Sequence, residues 1–169
     1  SWVVQKINAI GGKSLGWGDE QITADAALIA NSDAVLVGLG TNNIGDVIDD
    51  GANSVKPTGL QSITDQVSKI ITNIKSRKPA AKIYWTNVYV TGILTTQYGS
   101  FDMDLARPVI NQGIEDAART NNVTIIPWAT SSEAPALLSS DGIHPSGNYP
   151  KMADYVVGQL SGGSSESAP

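Results

Sequence analysis

Residues 33–40, DAVLVGLG, form a continuous apolar run, and this run constrains the fold more than any other stretch of the chain. A strand that is apolar on both sides is typical of a parallel sheet whose two faces are covered by helices. Comparable runs stand at residues 82–90, KIYWTNVYV, and at residues 123–128, VTIIPW, and a shorter run, INAI, stands at residues 7–10. The sequence therefore predicts a mostly parallel sheet.

The segments between these runs have helical periodicity. The clearest apolar face repeats at i, i+4, i+7 and i+11 and consists of Ile63, Val67, Ile70 and Ile74. Further helices are predicted at residues 19–31, 106–122 and 146–160, and loops at residues 44–59 and 92–103. Alternating strands and helices indicate the α/β class, in which chemistry sits at the carboxyl ends of the strands.

Composition excludes several kinds of site. The formal net charge is -5 and no cluster of lysine and arginine occurs, which argues against nucleic-acid or anionic-membrane partners. The chain has no cysteine, so a thiolate nucleophile, a disulfide and a zinc–thiolate site are excluded. No apolar run approaches the roughly 20 residues of a membrane span. We expect no membrane insertion, and an extracellular or cell-envelope location suits a cysteine-free chain.

The stretch INAIGGKSLGWG, residues 7–18, offers several kinds of glycine loop. A phosphate loop needs a glycine five residues before the glycine of its Gly-Lys-Ser, and Ile7 stands at that position. A flavodoxin-like nucleotide or flavin binder is therefore disfavoured. A nucleophile turn, or a glycine loop that serves another catalytic group, stays open at this point.

Two other stretches carry groups suited to acyl chemistry. In SSDGIHPSG, Asp141 stands three residues before His144, the only histidine, so a tight turn lets the carboxylate hold one imidazole nitrogen while the other acts as a base. In VGLGTNN, the amide of Asn42 follows a strand and can donate to an oxyanion. Each stretch alone also fits ordinary turn chemistry, which is the commoner explanation of an isolated Asp-x-x-His.

Together, GLGTNN and DGIHP resemble the third and fifth sequence blocks of the SGNH (GDSL-type) hydrolase family, in the same chain order and closest to its cell-envelope O-acetyltransferase-type members. The resemblance covers roughly residues 7–160. It implies a three-layer α/β/α flavodoxin-like fold and ester chemistry through Ser, His and Asp. It also implies an oxyanion hole that combines an asparagine side chain with backbone amides.

The resemblance also implies roles for single residues. His144 matches the general base and Asp141 its carboxylate partner. Asn42 matches the oxyanion asparagine, and Gly12 matches the second-block glycine, whose amide donates to the oxyanion. Asn43 stands where many members of the family have aspartate, and it is assigned to substrate binding.

Trp17 is assigned to the acyl or sugar pocket, although a packing role is equally compatible with its position.

The family's first block, a G-D-S turn after a central first strand, has no match, so that strand is predicted to be missing from the chain. Four explanations stay open: an upstream segment, a separate chain that completes the sheet, a degenerate turn with Ser14 as nucleophile, and Ser1 as the nucleophile. Ser14 is also readable as a serine that caps the following helix.

These expectations combine into one hypothesis. Residues 1–160 form an SGNH-like domain, and residues 161–169 form a flexible Gly/Ser-rich tail or linker. The domain is a serine-dependent esterase or O-acyltransferase that acts on small acyl esters, with acetyl esters of carbohydrates as the expected substrates. No metal or cofactor is implied. The alternative is a carbohydrate- or partner-binding module on the same scaffold that has lost its nucleophile.

Overall fold

In the computed structural model the chain alternates helices with short parallel strands. The residues it describes are 5–7, 12–49, 54–88, 103–128 and 149–161. The elements are α1 Leu15–Ala24, α2 Ala26–Ala30, β1 Ala34–Val37, α3 Ile44–Val47, α4 Gly59–Arg77, β2 Lys82–Thr86, α5 Met103–Asn121, β3 Thr124–Ile126 and α6 Tyr149–Leu160.

The three strands form a parallel sheet in the order β1-β2-β3. Its register aligns Val37 with Trp85 and Trp85 with Ile125, so these side chains share one face. Because all three strands run in the same direction, their carboxyl ends meet at one edge of the sheet. The predicted α/β class with a mostly parallel sheet is confirmed.

The core lies between that sheet face and the two long helices. α4 places the predicted face of Ile63, Val67, Ile70 and Ile74 in the core, each side chain at most 1% exposed. α5 packs closely against α4 at Gly113, where an added Cβ would lie 2.7 Å from Ile63 Cγ2. On the other sheet face Leu36 is 47% exposed, whereas Thr86 and Ile126 are buried.

The first helix starts earlier than predicted. α1 begins at Leu15, four residues before the predicted start at residue 19, and a break at Asp25 divides the predicted helix into α1 and α2. Leu15 is fully buried, so tertiary packing extends the helix beyond what local pattern indicates. The predicted strand at residues 7–10 begins with Ile7, which lies outside any strand and is 75% exposed, while residues 8–10 lie outside the described residues.

The predicted loop at residues 44–59 contains structure of its own. α3 occupies Ile44–Val47, and Ile48 then forms an isolated antiparallel bridge with Val55. Ile44, Val47 and Ile48 are buried, and their i, i+3, i+4 spacing gives this short helix an apolar face. The loop prediction was wrong here because Gly, Asp and Asn dominate the composition and obscure that face.

Candidate active site

Four residues of the predicted site, among them the oxyanion donors Gly12 and Asn42, lie on two segments, one before α1 and one after β1. Gly12 and Ser14 precede α1, and Asn42 and Asn43 follow the carboxyl end of β1. Asp141 and His144, the predicted dyad, lie outside the described residues. The contacts described below therefore concern the predicted oxyanion donors and their neighbours.

One hydrogen bond joins the two segments. The side-chain amide of Asn42 donates from Nδ2 to the backbone carbonyl of Lys13 at 3.0 Å. An amide NH₂ has two N–H groups, and the second has no partner among the described residues, so it is available to a ligand oxygen. Gly12 adjoins Lys13, and consecutive Cα atoms are about 3.8 Å apart. The two predicted oxyanion donors therefore belong to one small cluster.

The Gly12 backbone is accessible and has a conformation that favours glycine. Its φ is +74°, in the left-handed region, and the position of an added Cβ has no atom within 4 Å. The residue is exposed. A ligand can therefore approach this peptide closely, as an oxyanion-binding backbone amide requires.

Ser14 occupies the N-cap position of α1 but does not cap it. Its side chain makes no capping hydrogen bond. The cap comes from another segment, because the backbone N–H of Leu15 donates to Asn43 Oδ1 at 3.0 Å. The alternative prediction, that the Ser14 side chain caps α1, is therefore wrong.

Asn43 anchors a buried polar network beneath these segments. It is 3% exposed, and besides accepting from Leu15 it donates from Nδ2 to Asp46 Oδ2 at 2.7 Å and to Gln66 Oε1 at 3.3 Å. Gln66 Nε2 also donates to Asp46 Oδ2, at 3.0 Å. Asn43 thus ties β1, α1, α3 and α4 together. Its predicted substrate contact stays a prediction, and its burial offers substrate little surface.

The turn that carries Asn42 is fixed on its other side by β2. Trp85 is fully buried, and its indole Nε1 donates to the carbonyl of Leu39 at 3.2 Å. The next residue, Gly40, has φ +133°, and an added Cβ would lie 3.0 Å from Val88 Cγ2. The backbone N–H of Asn43 then closes a turn onto the Gly40 carbonyl at 2.9 Å. These contacts leave this turn little freedom.

Asn111 holds the end of β2 in a similar way. Its Oδ1 accepts from the backbone N–H of Val88 at 2.7 Å, and its Nδ2 donates to the Val88 carbonyl at 2.9 Å. The side chain thereby satisfies both backbone groups as a neighbouring strand would. Sequence reasoning missed Asn111 and Trp85, and an asparagine among the apolar residues of α5 was the one signal available.

The sequence profile of the GDSL-like lipase/acylhydrolase family matches residues 1–148. The chain belongs to this family. The matched range includes every residue of the predicted site. Among curated proteins, none matches the chain in sequence.

Three solved structures are similar to this chain in fold. A lipase/acylhydrolase from Enterococcus faecalis aligns with a TM-score of 0.60 and 16% identity over 89% of this chain and 72% of that one. LAE5, an alpha/beta hydrolase from the metagenome of Lake Arreo, Spain, aligns with a TM-score of 0.60 and 12% identity over 90% and 68%. A third solved structure aligns with a TM-score of 0.58 and 17% identity over 77% of this chain and 64% of that one. The chain thus spans about two thirds of their length.

Trp17 and Lys13 lie next to each other at the start of α1 in this GDSL-like chain. The Lys13 ammonium stands 5.9 Å from the centroid of the Trp17 ring, within the range of a cation–π contact. Trp17 is partly exposed. Its predicted place in a substrate pocket stays a prediction, and its exposed surface is compatible with it.

The position of α1 is also fixed electrostatically. Asp19 pairs with Lys69 of α4 at 2.9 Å and accepts from Asn73 Nδ2 at 2.7 Å. The hydrogen bond from Lys69 lowers the pKa of Asp19 below its usual value, and desolvation opposes that shift in part. Because α1 carries the site segment at its N-terminus, this link to α4 helps to hold the site in place.

Two further findings concern the described ranges alone. They contain no group of three or more His, Cys, Asp or Glu side chains that could hold a metal ion. None of their helices is both long enough and apolar enough to cross a membrane.

Proposed function

We propose that this GDSL-like protein is a serine-dependent carboxylic-ester hydrolase that acts on small acyl esters, with acetyl esters of carbohydrates as its substrates. The observation that carries the proposal is the hydrogen bond from Asn42 Nδ2 to the Lys13 carbonyl. That bond holds the Asn42 amide at Lys13, the residue that follows the exposed Gly12. Two N–H donors that converge on one point are what a tetrahedral oxyanion requires.

The proposed mechanism has two steps. His144 takes the proton of a serine hydroxyl, and the serine oxygen attacks the ester carbonyl while Asp141 stabilises the imidazolium. The carbonyl oxygen, now negative, accepts from the second Asn42 N–H and from the Gly12 N–H. Its collapse expels the alcohol, which receives the proton from His144. Water, deprotonated by the same histidine, then releases the acyl group as a carboxylic acid.

Ser14 is the candidate nucleophile within the described residues. It follows Lys13 directly, and its hydroxyl is not used to cap α1. The alternative is a serine elsewhere, either on an undescribed residue such as Ser1 or on a segment that joins the sheet at β1. Among the described residues β1 pairs only with β2, so its other edge is open to a further strand.

Fluorophosphonate labelling followed by peptide mapping tests the proposal. We expect one serine to be labelled, and we expect His144→Ala to abolish labelling because no base remains to activate the hydroxyl. Ser14→Ala, with Ser76→Ala at the far end of α4 as its matched control, decides whether Ser14 is that serine. If this chain takes no label but a chain extended at its N-terminus does, the serine lies on the added segment. No label on either chain contradicts the proposal and favours the binding module.

Transfer to a sugar hydroxyl is the second fate of the acyl group. Hydrolysis and transfer share every step up to the acyl-enzyme, so they differ only in the acceptor. Incubation with 4-nitrophenyl acetate and an unesterified oligosaccharide separates them. We expect acetate as the main product, and an acetylated sugar in excess of acetate would assign the chain to the acyltransferases.

A further inference from the structure

Lys13 makes two contacts at the candidate active site, one through its backbone and one through its side chain. Its backbone carbonyl accepts the Asn42 amide, which fixes the residue beside the oxyanion donors. Its ammonium group lies over the partly exposed Trp17 ring, 5.9 Å from the centroid. A positive charge and a flat apolar surface therefore stand together next to the oxyanion donors.

Lys13 makes no ion pair with a carboxylate of the described residues, whereas three other basic residues do. Lys6 pairs with Asp25, Lys69 with Asp19, and Arg119 with Asp116. The chain as a whole is acidic, with 16 Asp and Glu against 11 Lys and Arg. Since no carboxylate of the described residues pairs with Lys13, its charge can pair with an anionic ligand.

We propose that Lys13 and Trp17 select esters that carry a carboxylate near the acyl group, such as acetylated acidic sugars of the uronic-acid type. The ammonium pairs with the substrate carboxylate, and the indole contacts the C–H surface of the sugar ring. This inference rests on the proposed esterase function and adds the charge of the substrate. It makes Lys13 and Trp17 specificity residues, distinct from the oxyanion donors.

A matched pair of substrates tests the inference. 4-Acetoxybenzoate and 4-acetoxybenzamide carry the same acetyl ester, and only the first has a negative charge. We expect kcat/KM to favour the benzoate, and we expect Lys13→Met to lower the ratio of the two kcat/KM values about 2- to 5-fold, the effect of one partly exposed ion pair. Lys82→Met is the control, because Lys82 is exposed at the opposite edge of the sheet.

Each outcome decides the matter. An unchanged ratio in Lys13→Met, or an equal fall in Lys82→Met, overturns the inference, because the preference would then be absent or a property of the net charge. Sodium chloride at high concentration should remove the wild-type preference, since it screens an exposed pair.

A binding measurement separates this inference from the esterase proposal. D-Glucuronate and D-glucose are titrated against the chain, with saturation-transfer NMR as the readout. If neither ester is cleaved, the esterase proposal fails, yet weaker glucuronate binding by Lys13→Met than by wild type still supports the anionic ligand. Equal glucuronate binding by the two proteins overturns it.

Discussion

Replacing Asn43 by aspartate exchanges its side-chain NH₂ group for a carboxylate oxygen in the buried network. Asn43→Asp keeps the oxygen that accepts from the Leu15 N–H, but it removes the Nδ2 donor. The new carboxylate oxygen would face Asp46 Oδ2 at the 2.7 Å now spanned by a hydrogen bond. The variant therefore tests whether this network stabilises the fold as its geometry indicates.

The magnitude follows from the two ways in which the variant can respond. Two unit charges 2.7 Å apart repel by about 6 kcal/mol at an effective dielectric constant of 20. Retaining one shared proton avoids this repulsion, and keeping a carboxyl of ordinary pKa near 3.9 protonated at pH 7 costs about 4 kcal/mol. The smaller cost prevails, so we expect a loss of up to about 4 kcal/mol in the free energy of unfolding at pH 7.

The pH dependence distinguishes this mechanism from a simple lost bond. The shared proton raises the folded-state pKa of one carboxyl above its unfolded value, so the variant is least impaired below about pH 4 and loses stability as the pH rises. The difference from wild type should grow by about 1.4 kcal/mol per pH unit between pH 4 and the raised pKa. Asn43→Ala, which lacks the second carboxylate, should show a loss of about 1–3 kcal/mol with little pH dependence.

Urea unfolding at pH 4.5 and pH 7, followed by tryptophan fluorescence, gives both differences. Asn31→Asp serves as the matched control. It removes one exposed hydrogen bond, from the Asn31 amide to the Ala27 carbonyl, so we expect a loss of about 1 kcal/mol or less at either pH. A pH-independent loss in Asn43→Asp, or no loss, would refute the reasoning, since Asn43 and Asp46 could not then be in the contact described.

Three other substitutions test the packing around the site. Gly113→Ala places a Cβ 2.7 Å from Ile63 Cγ2, so we expect thermal unfolding to show a loss of about 1–3 kcal/mol. Asp19→Asn removes the ion pair with Lys69, and we expect a loss of about 1 kcal/mol or less at pH 7. Because the pKa of Asp19 is lowered from its ordinary value of 3.8, that contribution should be present above pH 3.8 and should vanish in urea titrations as the pH falls through the lower folded value. Trp85→Phe keeps an aromatic ring but loses the indole N–H, so we expect about 1 kcal/mol lower stability in urea together with a reduced kcat.

The elements whose apolar residues form a run or a helical repeat could be predicted from the sequence. The apolar run that contains β1, and the heptad-like face of α4, appear in the structure as expected because burial of a strand or a helix face leaves a periodic signal. The start of α1 could not be predicted, because its cap comes from Asn43, 28 residues further along the chain. A bond between distant residues leaves no local periodicity.

The same distinction applies to the candidate site. Asn42 and Gly12 were found through resemblance to family blocks, and the structure brings their segments together through the Lys13 carbonyl. Trp85 and Asn111 support the turns from neighbouring elements through side-chain bonds to backbone groups. Such roles depend on tertiary distance and geometry, so the sequence contained no pattern that specified them.

The effect of Asn42→Ala on turnover of 4-nitrophenyl acetate tests the oxyanion assignment most directly. An oxyanion donor acts in the transition state, so kcat should fall about 10²- to 10³-fold while KM changes little. Asn31→Ala, at an exposed position before β1 and so at the opposite end of that strand from Asn42, should leave both constants unchanged, and urea unfolding should show that both variants are folded. A loss confined to KM, or an unchanged kcat, would contradict the assignment of Asn42 to the oxyanion hole.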